Sequence, residues 1–178
     1  MVSLKTTLID FTQILDSLKI PYALIGGLAL GYWAVERFTK DIDLTIMLNQ
    51  SSWDQLSNFI KQHSDIKIDL ISQDQDSKIP YLIRLHYQEL PIDLIAALTE
   101  FQELMVKNAV KIEIDQNSFA YLAKPEDIII SKLIAGRSQD LVDIEKILAC
   151  NPNLDLVYIN NWANTWDVVK LWQGITKA

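Results

Sequence analysis

The segment that most constrains this chain is Asp41-Ile42-Asp43-Leu44, continued by Thr45 and Ile46. Alternation along an extended strand sends Asp41 and Asp43 to one face and Ile42, Leu44 and Ile46 to the other. One face can enter a core while the opposite face holds two carboxylates side by side. Like charges at that spacing repel unless a cation comes between them. Hard divalent cations such as Mg²⁺ take oxygen ligands and pair with phosphates, so the motif suits a site that joins metal to phosphate. Asp-x-Asp by itself also occurs in turns and in glycosyltransferases that hold nucleotide sugars.

The upstream residues narrow the choice. Tyr22 to Ile25 reads as a short buried strand, Gly26-Gly27 breaks it, and Leu28 to Val35 reads as a helix. Glycine at a strand-to-helix turn lets the backbone approach a ligand, and the new helix offers unpaired N–H groups to phosphate oxygens. Thirteen residues separate Gly27 from Asp41, enough for one helix and a return to a neighbouring strand. Gly-Lys-Ser/Thr and Gly-x-Gly-x-x-Gly are absent, which excludes a Walker loop and a dinucleotide fingerprint.

The rest of the chain supplies the frame. Leu4, Leu8, Phe11, Leu15 and Leu18 are spaced for one face of an opening helix that Pro21 ends. Ser51 starts a second helix, with Asp54 placed as in a capping box. Strands are expected at 41–48, 66–71, 81–87 and 90–96, the last two joined tightly at Gln88-Glu89, and a hairpin at 110–114 and 118–122. Lys124-Pro125-Glu126-Asp127 then opens a helix, with proline near its first position and acids in its first turn. Gly136 breaks that helix, 140–149 restarts one, and 154–174 reads as a last one, with Tyr158, Trp162, Trp166 and Val169 on one stripe. That stripe reads as core packing. The expected class is α/β (α+β): a mixed sheet flanked by helices over residues 1–123, and a helical portion over 124–178 packed on it.

With 178 residues the chain can build one real core. The net charge of −7 argues against a broad basic face for nucleic acid but leaves room for a local basic cleft. Cys150 is the only cysteine, which excludes an internal disulfide and suits a reducing cytoplasm. No run of some eighteen apolar residues is present and Met1 to Lys5 lacks the start of a signal peptide, so neither a membrane span nor secretion is expected. His63 and His86 lie far apart and offer no zinc spacing.

A two-metal phosphoryl-transfer site calls for a third carboxylate. Asp69 and Asp93 both sit between apolar residues on expected strands. Asp93 is the stronger candidate, because Leu90 to Ala97 is almost wholly apolar and an acid there must be paired, ligated or protonated. Its alternative is a structural acid bonded to backbone N–H groups. Asp69, with Lys67 on the same face, reads as an edge-strand ion pair.

Ile25-Gly26-Gly27, Asp41-Ile42-Asp43-Leu44 and Ile92-Asp93-Leu94, with Arg37-Phe38-Thr39-Lys40 before the acid pair, resemble the polymerase-β-type nucleotidyltransferase superfamily. Lys124-Pro125-Glu126-Asp127 through Lys132, Gly136-Arg137, Asp140 and Asp143 resembles the C-terminal signature of AbiEii-type toxin nucleotidyltransferases. The resemblance implies catalytic acids Asp41, Asp43 and Asp93 holding two Mg²⁺ ions against the triphosphate of an NTP. Asp93 would lie nearest the acceptor hydroxyl, which attacks the α-phosphorus and expels pyrophosphate. Gly26 and Gly27 would approach the β- and γ-phosphates. Arg37 and Thr39 either join them or serve as a surface ion pair and a strand-start hydroxyl.

Lys132 faces the same way as Ile128 and Ile129, so it either snorkels or meets an anion. The resemblance implies the nucleotide phosphates, with Asp140 as partner. Asp143 reads as a capping or surface-paired acid. The acceptor in such families is a tRNA 3′ end, a protein side chain, or an aminoglycoside or lincosamide hydroxyl. A cognate toxin or antitoxin is the implied protein partner. The competing function is a non-catalytic binding component of a toxin–antitoxin pair.

Overall fold

In the computed structural model, residues 3–35, 38–75 and 77–176 are described. The sheet is built from β1 (Tyr22–Ile25), β2 (Ile42–Ile46), β3 (Ile66–Ser72), β4 (Leu82–Tyr87), β5 (Leu90–Ala96), β6 (Val110–Asp115) and β7 (Ser118–Leu122). Their order across it is β3-β4-β5-β2-β1-β7-β6. β2 runs parallel to β5 and β1 parallel to β7, while the remaining neighbours are antiparallel. The expected mixed sheet is present.

Alternation does the sorting. Leu24, Leu44 and Leu94 stand opposite one another across β1, β2 and β5, all nearly inaccessible to water. Helix α1 (Leu4–Ser17) adds Leu8, Phe11 and Leu15 to the core. Burying such side chains is worth roughly 1.5–3 kcal/mol each. The other face of the same strands carries Asp43 and Asp93, beside the short helix α2 (Gly26–Trp33).

Several boundaries differ from expectation. Helix α2 starts at Gly26, because the chain turns directly out of β1. Helix α3 (Gln50–Gln62) is capped by Asn49 and Ser52, not by Ser51 and Asp54; Asp54 instead accepts from Gln50. An unexpected helix α4 (Glu100–Lys107) fills the gap before β6, with Thr99 and Gln102 forming its capping box. Helices α5 (Pro125–Ala135) and α6 (Ser138–Cys150) part at Gly136, whose φ of 62° is the left-handed cap that glycine tolerates best. The last expected helix is two, α7 (Leu156–Thr165) and α8 (Val169–Thr176), split where Asp167 adopts a φ of 54°. Trp162 packs against Phe101 and Tyr158, partly buried against the core, whereas Trp166 is more than a third exposed. Among the described residues no helix is long and apolar enough to cross a membrane.

Candidate active site

The parallel pairing of β2 with β5 sets Asp43 directly opposite Asp93. Asp41 lies one residue before β2, on the same face by alternation. Thr39 donates to Asp41 Oδ1 at 2.5 Å. The glycine pair fits around these groups. Gly26 has a φ of +66°, and a Cβ there would lie 1.9 Å from Asp43 Oδ2. A Cβ on Gly27 would lie 2.8 Å from Thr39 Cβ and Oγ1. Both positions are closed to side chains, the first also by its backbone conformation. Motifs fourteen or more residues apart in the chain thus meet at one end of the sheet's central strands.

The carboxylates repel one another. Burial pushes the Asp43 carboxyl up to about 6, and the charges of Asp41 and Asp93 push in the same direction, against Arg84 and Arg137. Arg84 reaches across from β4: its Nε donates to Asp93 Oδ1 at 2.8 Å and its Nη2 to Oδ2 at 2.6 Å. This two-pronged pair is the partner that an acid on the apolar β5 required.

A second cluster overhangs the first. Lys132, on α5, donates to Asp140 Oδ1 at 3.1 Å and to Asp143 Oδ2 at 2.7 Å, both on α6. Arg137 Nε donates to Asp140 Oδ2 at 2.6 Å. Burial alone would raise Asp140, but the hydrogen bonds from Arg137 and Lys132 outweigh it and hold the carboxyl below its ordinary value. Both acids are buried, which corrects the expectation of Asp143 as a capping or surface acid. The two clusters enclose a mostly polar cavity of about 410 Å³.

A model of the family described as "Nucleotidyl transferase AbiEii toxin, Type IV TA system" matches residues 13–167. The chain belongs to this family. No curated protein matches it by sequence. A nucleotidyltransferase-like antigen of Paracoccidioides brasiliensis shares the fold with a TM-score of 0.59 at 22% identity, over 98% of this chain and 92% of its own. The ANT(2″)-Ia structure with adenylyl-2″-tobramycin gives 0.61 at 13% identity, over 93% and 98%. The lincosamide adenylyltransferase LnuA, with lincomycin bound, gives 0.54 at 13%, over 84% and 98%. Membership of the AbiEii family makes the protein a nucleotidyltransferase; the distant structures speak for the fold.

In this AbiEii nucleotidyltransferase, Gly26, Gly27, Thr39, Asp41, Asp43, Asp93, Lys132 and Asp140 all line the one cavity. Arg37 lies outside the described residues. Asp69 is on the edge strand β3 and pairs with His86 Nδ1 at 2.8 Å, in place of the expected Lys67. Arg84 was not expected at the site. The hairpin could have located it: a tight turn at Gln88-Glu89 that pairs Tyr87 with Leu90 necessarily pairs Arg84 with Asp93.

Proposed function

We propose that the protein is a Mg²⁺-dependent nucleotidyltransferase that moves a nucleoside monophosphate from an NTP to an acceptor hydroxyl and releases pyrophosphate. The reading rests above all on the register that sets Asp43 opposite Asp93 beside Asp41, next to the glycine turn that opens α2. The donor set suits a divalent ion, because three carboxylates face one cavity and the charges of Asp41 and Asp93 help raise Asp43 despite Arg84 and Arg137. Among the described residues, no three such side chains are gathered closely enough to hold a metal ion as they stand. Asp93, committed to Arg84, is the acid that must be freed. Asp41, Asp43 and Asp93 would hold the ions, which would supply charge neutralisation of the triphosphate and of the attacking oxygen.

The chain's own groups do the rest. The glycine turn and the N–H groups of α2 receive phosphate oxygens. Thr39 fixes the Asp41 carboxylate. Asp93 takes the acceptor's proton, and Lys132 and Arg137 face the phosphates from the opposite wall, held in place by Asp140 and Asp143. In this reading residues 1–123 are the catalytic core and 124–178 the portion that closes over it.

The family's description as a toxin of a type IV system supports a cellular macromolecule, tRNA or protein, as acceptor, a cognate antitoxin as partner, and action in the cytoplasm. Incubation with α-labelled NTPs, Mg²⁺ and total tRNA or lysate protein should give labelled acceptor. Parallel reactions with aminoglycosides and lincosamides test the resistance-enzyme alternative. Absence of transfer to every acceptor, with an unchanged cellular phenotype for the Asp41→Ala, Asp43→Ala double variant, would leave the non-catalytic binding role.

A further inference from the structure

We infer that Arg84 is a built-in counter-cation that occupies Asp93 in the metal-free protein and must release it before a divalent ion can use that carboxylate. The inference rests on the metal-dependent reading above and goes beyond it. Both oxygens of Asp93 are engaged by one guanidinium, at 2.8 and 2.6 Å. Asp93 cannot keep that fork and also give its inner oxygen to an ion shared with Asp43, because a guanidinium and a divalent ion at one carboxylate repel each other strongly. The arrangement therefore makes metal and arginine competitors.

The two partners differ in how firmly they are held. Asp93 is anchored on an interior strand, with its side chain 16% exposed. The Arg84 side chain is 48% exposed, on the neighbouring strand, so it can turn out to water without displacing the core. Asp43 and Asp69 flank it electrostatically, so the guanidinium has carboxylates to either side when it leaves Asp93. A triphosphate entering at the glycine turn adds negative charge to the cavity and tips the balance toward divalent cations. Full occupation of the acidic row thus follows nucleotide binding, and the free protein is kept from binding metal tightly at that position.

The test reads metal affinity, not turnover. Metal-stripped wild type, Arg84→Gln and Arg84→Lys are titrated with Mn²⁺ without nucleotide, and free Mn²⁺ is followed by electron paramagnetic resonance. Arg84→Gln should bind Mn²⁺ at least ~10-fold more tightly at one site. Arg84→Lys should fall between, since an ammonium keeps the charge but not the fork. A merely structural arginine would leave affinity unchanged or weaken it on removal, and either result in Arg84→Gln overturns the inference. Failure of all three proteins to bind Mn²⁺ even with NTP would instead remove the metal-dependent reading beneath it. If the glutamine variant does not fold, the wild-type Arg84 Nε–H resonance is followed while Mg²⁺ and a non-hydrolysable NTP are added. It should move to the position of water-exposed arginines, and an unmoved resonance counts against the inference.

Discussion

The two charged clusters that face each other across the cavity use the same kinds of side chain and reach opposite electrostatic states. On the sheet, Arg84 is bound to Asp93, and Asp43 is driven up to about 6 although Arg84 and Arg137 both pull it down. On the helices, Asp140 and Asp143 share Lys132 and Arg137, and Asp140 is driven below its ordinary value although it is among the most buried acids of the chain. Burial acts in the same direction at both places. The count and placement of cations decides the sign. The acids of the helical cluster are balanced by their cations, whereas the sheet cluster is left short of positive charge, which is what the proposed metal-dependent function requires.

The comparison breaks most readily at Asp41. Replacing it with alanine should reduce nucleotidyl transfer at least ~10³-fold, since several kcal/mol of charge stabilisation is lost. The circular dichroism spectrum should be unchanged, because Asp41 lies before β2 and outside its ladder. A variant that transfers normally would place the chemistry elsewhere.

Removing a charge from the helical cluster should act on the fold. Lys132→Met removes the cation shared by two buried carboxylates and should cost about 3 kcal/mol in urea denaturation. A loss below ~1 kcal/mol would mean that Arg137 and Lys146 already balance those acids.

The sheet cluster should respond in the other direction. Asp43 has a folded-state pKa of about 6 against an ordinary 3.8, so its stabilising contribution is complete below 3.8 and lost as the pH rises through 6. At pH 7.5, with metal chelated, Asp43→Asn should therefore gain about 1–2 kcal/mol while losing activity. The gain should fade as the pH falls from 6 toward 4. Destabilisation by this substitution at pH 7.5 would contradict the assigned charge shortage.

The smallest effect is expected at Asp127, which lies in neither cluster. Burial raises its carboxyl to about 6, opposed by the hydrogen bond that Tyr158 donates at 2.8 Å and reinforced by Glu126. Near pH 4, where the acid is protonated, Asp127→Asn should change stability by no more than ~1 kcal/mol, because the amide oxygen can still accept from Tyr158. It should also flatten the dependence of stability on pH between 4 and 6.

Much of the site was legible because its motifs carry local constraints. Gly26-Gly27 announces a turn without Cβ atoms, Asp41-Ile42-Asp43 announces a strand with one charged face, and the apolar surroundings of Asp93 announce an acid that must be paired, ligated or protonated. Helix α4 was missed although Thr99 and Gln102 form a standard cap, because its eight residues span barely two turns, too few to establish a helical period. The split between α7 and α8 was missed because Asp167, not glycine or proline, takes the left-handed turn. Arg84 was missed because one arginine on a strand has no meaning until its neighbour across the ladder is known. The misreading of Asp143 has a similar origin: spacing shows that Asp140 and Asp143 share a helix face, but not that this face is turned to α5 and Lys132.

From the order of residues alone come the family, the strand–glycine–helix turn, the acid pair and the third acid, since each depends on periodicity or on the bare chemistry of a short segment. Tertiary structure alone decided that Lys132 meets Asp140 and Asp143. Those pairs are made between two helices, where a rotation of one helix would exchange the partners, and no local pattern in the chain encodes that choice.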